Sequence, residues 1–506
     1  MKKNTSLLLL STLPLMASAQ IKTKPNIVWI MAEDIEQDLE CYGMKGVKTP
    51  NLNRLAEEGM LFQSAYGTGS ISSPCRSAMM TGVHQNVINA HNHRSNRELP
   101  LTTDVQPITY HLRNNGYTCI LGSPLVTVNG RKIDCNYKTK PIGKWDGINN
   151  FGLFDKLDEI TPSEQPFFAQ IQLVKTHRGD WWKETTANSK HPVNPDSIEL
   201  PPYMPNHPKV RREWATYLDQ IEYMDMEVGL IMEDLRKKDL LDNTIIVFIG
   251  DNGRCDIRGK GYLYEPGIRI PMIVWGKGIE KGVINDLVYT LDISATILDL
   301  AECELPDYLM GKPFLEKKTG RFVGGNEYIF AARDNWDEII DCMRSITTKD
   351  FKYIRNYVPN EGWDRHQQYL DFHRPAIHVM RQLKEENKLD ANQLLFMENH
   401  KPAEELYNLK NDPYELHNLA EDPAYHTALL QMRGYLKDWQ SKYVDYGLKD
   451  LNERKTEHAK GGIREYVQKN YPKEWQKLVN GEIGDKFKKF SKEAQNTPDK
   501  KQKNNK

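Results

Sequence analysis

Short apolar runs alternate with amphipathic stretches along most of this chain. The runs at 26–31, 167–173, 244–249 and 271–275 are largely apolar, which is typical of strands buried on both faces of a sheet. Between two of these runs, apolar residues recur at helical spacing and predict a long amphipathic helix. One face of that helix carries Trp214, Leu218, Ile221, Met224, Val228, Ile231 and Leu235. Strands alternating with helices predict an α/β fold in which helices sandwich a large, mainly parallel sheet.

Individual residues predict the start and end of one helix, and the pattern of strands changes later in the chain. Thr49 and Pro50 predict a helix start, because an oxygen side chain caps free N–H groups and proline fits the first turn. Gly59 predicts its end. After about Cys342 the strands become shorter and alternate in polarity, with residues 353–357 among them. We therefore predict a smaller C-terminal α+β domain with an antiparallel sheet.

The start of the chain predicts export. Lys2 and Lys3 precede an apolar run at 7–16, and the small residues at 17–19 form a cleavage site, as in secretory signal peptides. No cysteine follows to carry a lipid, and no later apolar stretch is long enough to span a bilayer, so we expect a periplasmic or secreted protein without membrane insertion. The predicted segments are a signal peptide at 1–19, a large domain at 20–342, a C-terminal subdomain at 343–483 and a Lys-rich disordered tail at 484–506.

Charge and cysteine content narrow the class of protein. The chain has 68 basic and 69 acidic residues, a balance that does not favour nucleic acid or a membrane surface as a partner. Binding of any anionic ligand would therefore depend on a local group of basic residues and not on the overall charge. The seven cysteines form no Cys-x-x-Cys pair, so neither a zinc site nor a disulfide scaffold is indicated.

Acidic and amide side chains follow two of the predicted strands. Glu33 and Asp34 come after the strand at 26–31, and Asp251 and Asn252 come after the strand at 244–249. Singly, each pair also fits a helix cap or a turn. Because carboxyl ends of parallel strands share the sheet edge where ligands bind, we expect the four side chains to meet. Oxygen ligands suit a hard cation, and calcium fits most readily.

The segment from Ser72 to Gly82, Ser-Ser-Pro-Cys-Arg-Ser-Ala-Met-Met-Thr-Gly, resembles the maturation signature of type I sulfatases of the alkaline phosphatase superfamily. In that family a Cys or Ser two residues before a Pro and four before an Arg is oxidised to formylglycine. The resemblance makes Ser72 this residue and Arg76 a partner of its hydrate or of sulfate. Locally, Ser73 and Pro74 predict the cap and first residue of a helix.

The chemistry of sulfate transfer explains why serine itself is insufficient. A serine that displaced an alcohol from a sulfate ester would remain a stable sulfate ester. A formylglycine hydrate has two hydroxyls on one carbon, so one attacks sulfur and the other collapses to the aldehyde and expels sulfate.

Other segments match the family in order. Residues 259–271, Gly-Lys-Gly-Tyr-Leu-Tyr-Glu-Pro-Gly-Ile-Arg-Ile-Pro, resemble a family segment in which Lys260 contacts sulfate. The stretch from Phe167 to His177 resembles one that carries a histidine, which implies that His177 faces the sulfate or the leaving alcohol. Residues 405–419 resemble a signature near the end of sulfatase C-terminal domains.

One family motif is missing. After Gly116-Tyr117, sulfatases carry Gly-Lys-x-His, whereas this chain has Gly-Ser-Pro-Leu at 122–125. We hypothesise that Lys132 replaces the lysine and that His91 or His93 replaces the histidine as acid. Glu33 in place of the first family aspartate is a second departure. His378 is a further candidate for substrate binding, although a surface loop explains it equally well.

These matches imply an exo-acting sulfatase of sulfated oligosaccharides or monosaccharides, with calcium and a formylglycine. Details at 251–267 resemble the sulfamidase branch most, while an O-sulfatase remains an alternative. A serine-type site implies an anaerobic sulfatase-maturating enzyme, a radical iron–sulfur protein, as a partner. Two other functions stay open: a phosphatase or phosphonate hydrolase of the same superfamily, and a non-catalytic glycan-binding relic.

Overall fold

The computed structural model describes residues 24–101, 104–138, 153–179, 181–337, 339–365, 367–449, 451, 470–473 and 476. The predicted signal peptide at 1–19 and the predicted tail at 484–506 lie outside these ranges. No helix within them is long and apolar enough to cross a membrane.

Fourteen strands are found in the described part of the chain. They are β1 Asn26–Ala32, β2 Met60–Phe62, β3 Ala65–Tyr66, β4 Thr118–Leu121, β5 Lys156–Leu157, β6 Phe167–Leu173, β7 Thr244–Gly250, β8 Met272–Gly276, β9 Gly282–Ile284, β10 Val288–Tyr289, β11 Ile329–Arg333, β12 Met343–Thr347, β13 Phe351–Asn356 and β14 Glu404–Asn408. Eight of them form one sheet in the order β5-β4-β6-β1-β7-β8-β2-β9. Within it, β8 pairs antiparallel with β7 and β2, and the other pairs are parallel.

Twelve α-helices are found in the same residues. They are α1 Pro50–Glu58, α2 Ser72–Thr81, α3 Ile108–Asn114, α4 Trp181–Asn188, α5 Pro208–Lys237, α6 Glu265–Ile268, α7 Thr290–Leu300, α8 Gln368–His373, α9 Pro375–Glu385, α10 Ala391–Leu394, α11 His426–Lys442 and α12 Tyr446–Lys449. Single 3₁₀ turns occur at Glu40–Tyr42, Thr127–Gly130, Pro162–Glu164, Leu241–Asn243, Leu395–Met397 and Pro423–Tyr425.

The large sheet is covered on both faces. Val28 and Ile30 of the central strand β1 pack with α1, α5 and α9, while Ile27, Trp29 and Met31 pack with α2, α3 and α7. All seven residues of β1 are buried, as the uninterrupted apolar run predicted. The predicted α/β sandwich is thus confirmed.

A second, four-stranded antiparallel sheet has the order β11-β12-β13-β14, and α11 packs on it. The apolar face of this sheet meets Leu429, Met432, Leu436 and Trp439 of the helix. The predicted antiparallel sheet is confirmed. Strand β11 precedes residue 343, so the domain boundary between 342 and 343 stays a prediction.

The start of α2 differs from the expectation. The helix begins at Ser72 with Ile71 in the cap position, because the Cys75 N–H donates to the Ile71 carbonyl at 3.2 Å. The predicted cap at Ser73 is wrong, and the Ser73 hydroxyl has no hydrogen-bond partner among the described residues. Ser72 is therefore the first residue of the helix.

Candidate active site

The register of two parallel strands brings the predicted metal ligands together. Ala32 of β1 pairs with Gly250 of β7, and the Asp251 N–H donates to the Ala32 carbonyl at 2.9 Å. Beyond this pair, the Asp34 N–H donates to Asp251 Oδ1 at 3.0 Å. Asn252 Nδ2 donates to Asp34 Oδ1, also at 3.0 Å. The residues that follow the two strands thus form one hydrogen-bonded cluster.

Ser72 reaches this cluster from the N-terminus of α2. Its Oγ donates to Asn252 Oδ1 at 3.0 Å, and the residue is 3% exposed. The helix N-terminus adds a partial positive charge beside the hydroxyl, which favours an anion at this point. At the other end of α2, Gly82 ends the helix in the left-handed region, with φ 68°.

Arg76 lies one turn along α2, behind Ser72. Its Nε donates to Asp251 Oδ2 at 3.0 Å and its Nη2 donates to Glu33 Oε1 at 3.1 Å, while Gln172 accepts a further bond. Burial opposes the charged form of Arg76, but the carboxylates of Asp251 and Glu33 outweigh it and raise the pKa of the guanidinium. Arg76 therefore orders the acidic side chains. Its predicted contact with sulfate stays a prediction.

Lys260 and His177 both face Asp34. Lys260 Nζ donates to the two Asp34 carboxylate oxygens at 2.7 and 2.8 Å. Burial lowers the pKa of Lys260, but the carboxylate of Asp34 more than offsets it, so the net pKa is raised and the ammonium is charged. His177 Nε2 lies 3.8 Å from Asp34 Oδ2. Burial and the neighbouring Lys260 lower the pKa of His177.

These residues surround a cavity of about 130 Å³. It is lined by Ser72, His93, Arg94, Lys132, His177, Lys260, Trp336, Asp337 and Tyr369. Since a water molecule takes up about 30 Å³ in the liquid, the cavity holds an oxyanion and a few further atoms. A larger hollow of about 640 Å³ lies at the opposite sheet edge beside Trp275. It contains none of the predicted site residues, so the chemistry assigns the site to the smaller cavity.

Two residues proposed to replace the missing motif line the cavity. Lys132 Nζ donates to Glu33 Oε1 at 2.5 Å and lies 3.5 Å from Asp134 Oδ2. His93 Nδ1 lies 2.7 Å from Asp337 Oδ1. Burial lowers the pKa of His93, and Asp337 opposes that shift. The structure thus brings Lys132 and His93 to Ser72, as the substitution hypothesis requires.

The structure does not bring His91 or His378 into this cavity. His91 is buried outside the lining residues. His378 lies on α9, where its Nε2 is 2.7 Å from the Asp371 carbonyl oxygen. His84, seven residues before His91, packs against Phe330 and Trp439.

Several lining residues were missed from sequence. Arg94 directly follows His93, so the polar run at 91–94 was a usable signal. Trp336 and Asp337 lie in the loop after β11, and Tyr369 lies on α8. No recognised spacing linked these three to Ser72, because long-range packing alone places them there.

The acidic cluster fits a hard cation. Ligand atoms of Glu33, Asp34 and His177 lie within 4.8 Å of one another. Glu33 Oε2 is buried and accepts no hydrogen bond from any described residue, which leaves this oxygen for a cation. The predicted set was Glu33, Asp34, Asp251 and Asn252, and it did not include His177. Both Asp251 oxygens accept hydrogen bonds, from the Asp34 N–H and from Arg76.

Comparisons with known proteins identify the family of this chain. The family model described as Sulfatase matches residues 25–303, and the model described as N-sulphoglucosamine sulphohydrolase, C-terminal, matches residues 253–373. The chain is 30% identical to an ulvan-active sulfatase of Formosa agariphila, over 84% of this chain and 76% of the relative.

Two more distant matches extend over most of the chain. The N-sulphoglucosamine sulphohydrolase of Homo sapiens is 24% identical over 82% of this chain and 89% of its own. A solved structure in complex with D-glucosamine-2-N,6-O-disulfate has a TM-score of 0.56 at 17% identity, covering 85% of this chain and all of that one, and shares the fold. With the Sulfatase model matching more than half of its residues, this chain belongs to the sulfatase family and is a sulfuric ester hydrolase.

Proposed function

We propose that this enzyme is an exo-acting sulfatase that removes O- or N-linked sulfate from a glycan, through a formylglycine formed from Ser72 and with a calcium ion. The observation that carries the proposal is the 3.0 Å hydrogen bond from Ser72 Oγ to Asn252 Oδ1 inside a cavity lined by basic residues. Relatives named for ulvan and for N-sulphoglucosamine support a sulfated glycan as the substrate. The small cavity has room for one sulfate group, which is the group that the reaction transfers.

Glu33, Asp34, Asp251 and Asn252 would hold the cation, with His177 beside them. When bound, calcium neutralises sulfate charge and orients the nucleophile. Lys260 and Lys132 already sit against the Asp34 and Glu33 carboxylates, and both line the cavity. Their ammonium groups would offset the charge that develops on the sulfate oxygens.

The residues around Ser72 suit a modified side chain. As its hydrate, a formylglycine at position 72 would supply one hydroxyl to attack sulfur and a second whose collapse to the aldehyde would release sulfate. Asn252 Oδ1 accepts a hydrogen bond from Ser72 Oγ, and the positive end of the α2 dipole lies at Ser72. This environment fixes the nucleophile and favours the anion that it attacks.

His93 is our candidate for the group that protonates the leaving oxygen or nitrogen. With Nδ1 bonded to Asp337 at 2.7 Å, Nε2 is the nitrogen left to face the substrate. A bound sulfate places negative charge near the ring and favours the imidazolium form, which can donate a proton. If Lys132→Ala and His93→Ala both left turnover intact, this replacement of the missing motif would be wrong.

Export and maturation complete the proposal. The signal peptide predicted at 1–19 supports a periplasmic or secreted enzyme. A serine at position 72 supports an anaerobic sulfatase-maturating enzyme as the partner that oxidises it. Both rest on sequence.

The two alternatives are less well supported. A two-zinc phosphatase needs two sets of clustered ligands. Among the described residues, Glu33, Asp34 and His177 form the one group of three such side chains within 4.8 Å. In this chain a serine, a cavity lined by basic side chains and a cluster of carboxylates lie together. A non-catalytic relic does not require this combination.

Mass spectrometry of the peptide that contains Ser72, combined with a sulfate-release assay, tests the proposal. Protein from its native host should lose two hydrogens at Ser72 and release sulfate from sulfated disaccharides. Ser72→Ala should abolish release, while Ser73→Ala should retain it, because the Ser73 hydroxyl has no partner in the described residues. Unmodified serine in every molecule would remove the mechanism. Tight disaccharide binding without release would favour the relic.

A further inference from the structure

Arg94 presents an unused edge of its guanidinium at the cavity. Its Nε and Nη2 donate to Asp134 Oδ1 and Oδ2, both at 3.0 Å. This side-on pair leaves the edge formed by Nη1 and the second hydrogen of Nη2. Within the described part of the chain, Nη1 makes no hydrogen bond. The Arg94 side chain is 42% exposed and lines the same cavity as Ser72, so a ligand can reach this edge.

Asp134 orients Arg94 without neutralising its surroundings. This carboxylate is 3% exposed and also pairs with Arg97 and with Lys132, the latter at 3.5 Å. Burial disfavours its charged form, but Lys132 and Arg94 outweigh that and hold the pKa of Asp134 well below its usual value. One fixed negative charge therefore faces three cations. Lys132 is shared with Glu33, so Arg94 and Arg97 together exceed the charge of Asp134 by one, and Asp337 is the further carboxylate that acts on Arg94.

We propose that Arg94 forms a subsite for a second anionic group of the substrate, a carboxylate or a second sulfate on the same sugar or on its neighbour. The inference rests on the proposed function, because the first anion is the sulfate held at Ser72. The free guanidinium edge matches two oxygens of either anion with parallel N–H···O bonds. Asp134 already holds the guanidinium in place, so binding loses little side-chain freedom.

Asp337 limits where the second anion can lie. It lines the same cavity as Arg94, acts electrostatically on that guanidinium, and its Oδ1 lies 2.7 Å from His93 Nδ1. A substrate anion placed against Asp337 would be repelled, whereas one placed against Arg94 would be attracted. The pair of residues therefore selects for the position of the second charge as well as for its presence.

Matched substrates test this subsite. One pair is a sulfated disaccharide with a uronic acid and its carboxyl-reduced form, and the other is a disulfated monosaccharide and its monosulfated form. The wild-type enzyme should favour the doubly charged member of at least one pair by tenfold or more in kcat/KM, mainly through KM. Arg94→Gln should bring that ratio close to one. Arg97→Gln is the matched control, since Arg97 pairs with the same carboxylate but does not line the cavity, and it should keep the preference.

The pair that shows the preference identifies the anion as a carboxylate or a sulfate. Equal kcat/KM within both substrate pairs for the wild-type enzyme would overturn the proposal. It would also be overturned if Arg94→Gln lowered kcat/KM by the same factor for both substrates of the preferred pair. Loss of the preference in Arg97→Gln as well would also overturn it, because the effect would then come from Asp134. If the enzyme released sulfate from no substrate, the proposed function would fail separately. Calorimetry of disaccharide binding to wild type and Arg94→Gln would then still test the subsite.

Discussion

Lys132 Nζ lies 2.5 Å from Glu33 Oε1, although the two residues are 99 positions apart in the chain. The loop after β4 makes this contact because it folds back on itself. Gly122 has φ 89°, and the Ser123 N–H donates to the Asn129 carbonyl at 2.9 Å. A side chain at Gly122 would place its Cβ 2.2 Å from that carbonyl oxygen. The loop therefore still requires the glycine of the missing motif. The lysine is supplied instead by Lys132, ten residues after Gly122.

Lys132→Met should lower kcat/KM for sulfate release by about 10²–10³, since it removes one charge that stabilises the developing oxyanion. Lys138→Met is the control, because Lys138 is exposed and pairs with Glu98 at 3.4 Å outside the cavity. Both variants should be compared by thermal melting, so that a folding defect is recognised. Activity of Lys132→Met within twofold of wild type would contradict the assignment.

Replacement of His93 should affect poor leaving groups most. His93→Gln should reduce turnover of a sulfated sugar by about 10²–10⁴, the range for loss of a general acid. An aryl sulfate, whose phenolate leaves without a proton, should be affected much less. Asp337→Asn should show the same selectivity to a smaller extent, because it no longer fixes the ring nitrogen that carries the proton. Equal losses on both substrates would exclude a proton-donating role for His93.

Much of the fold was predictable because its central strands are buried on both faces. The predicted runs at 26–31, 167–173, 244–249 and 271–275 correspond to β1, β6, β7 and β8, with bounds within one residue. Apolar runs of this length leave few alternatives. The start of α2 was misplaced, since the backbone of Ile71 caps the helix without a side chain.

The site was predictable where residues follow strand ends and not where loops assemble it. Strand register alone places Asp34 beside Asp251. The positions of Trp336 and Asp337 depend on how the loop after β11 packs against residues 91–94; there the His93 N–H donates to the Asn335 carbonyl at 3.0 Å. Such contacts between distant loops have no periodic signal in the sequence. For the same reason the sequence did not show that His378 lies on α9, outside the lining of this cavity.

Calcium should stabilise the folded protein through Glu33. A ligand that binds only the native state at about 100 times its Kd adds about 2.7 kcal/mol, so excess calcium should raise the Tm by a few degrees. Glu33→Gln should remove most of this rise, because its buried Oε2 is the oxygen without a protein partner. Glu57→Gln, at an exposed position on α1, should keep the rise. A calcium-dependent Tm rise unchanged in Glu33→Gln would assign the cation to other residues.

His84 should make the protein less stable at acidic pH, independently of the active site. Its Nε2 lies 3.2 Å from the Thr68 carbonyl oxygen and its Nδ1 accepts the Asn86 N–H at 3.3 Å, so the neutral ring is fully bonded. Burial lowers its pKa to about 3, with Arg344 adding to the shift and Asp445 and Asp334 opposing it.

In the unfolded chain the His84 ring takes up a proton near pH 6.5. The stabilisation that the buried neutral ring gives the folded protein is therefore complete above that pH and is lost as the pH falls. Between pH 7.5 and 5, His84 should lower the free energy of unfolding by about 2 kcal/mol. Urea unfolding of wild type and His84→Gln across this range measures it: the difference between the two curves should shrink toward acid, and a constant difference would show that His84 does not titrate on unfolding.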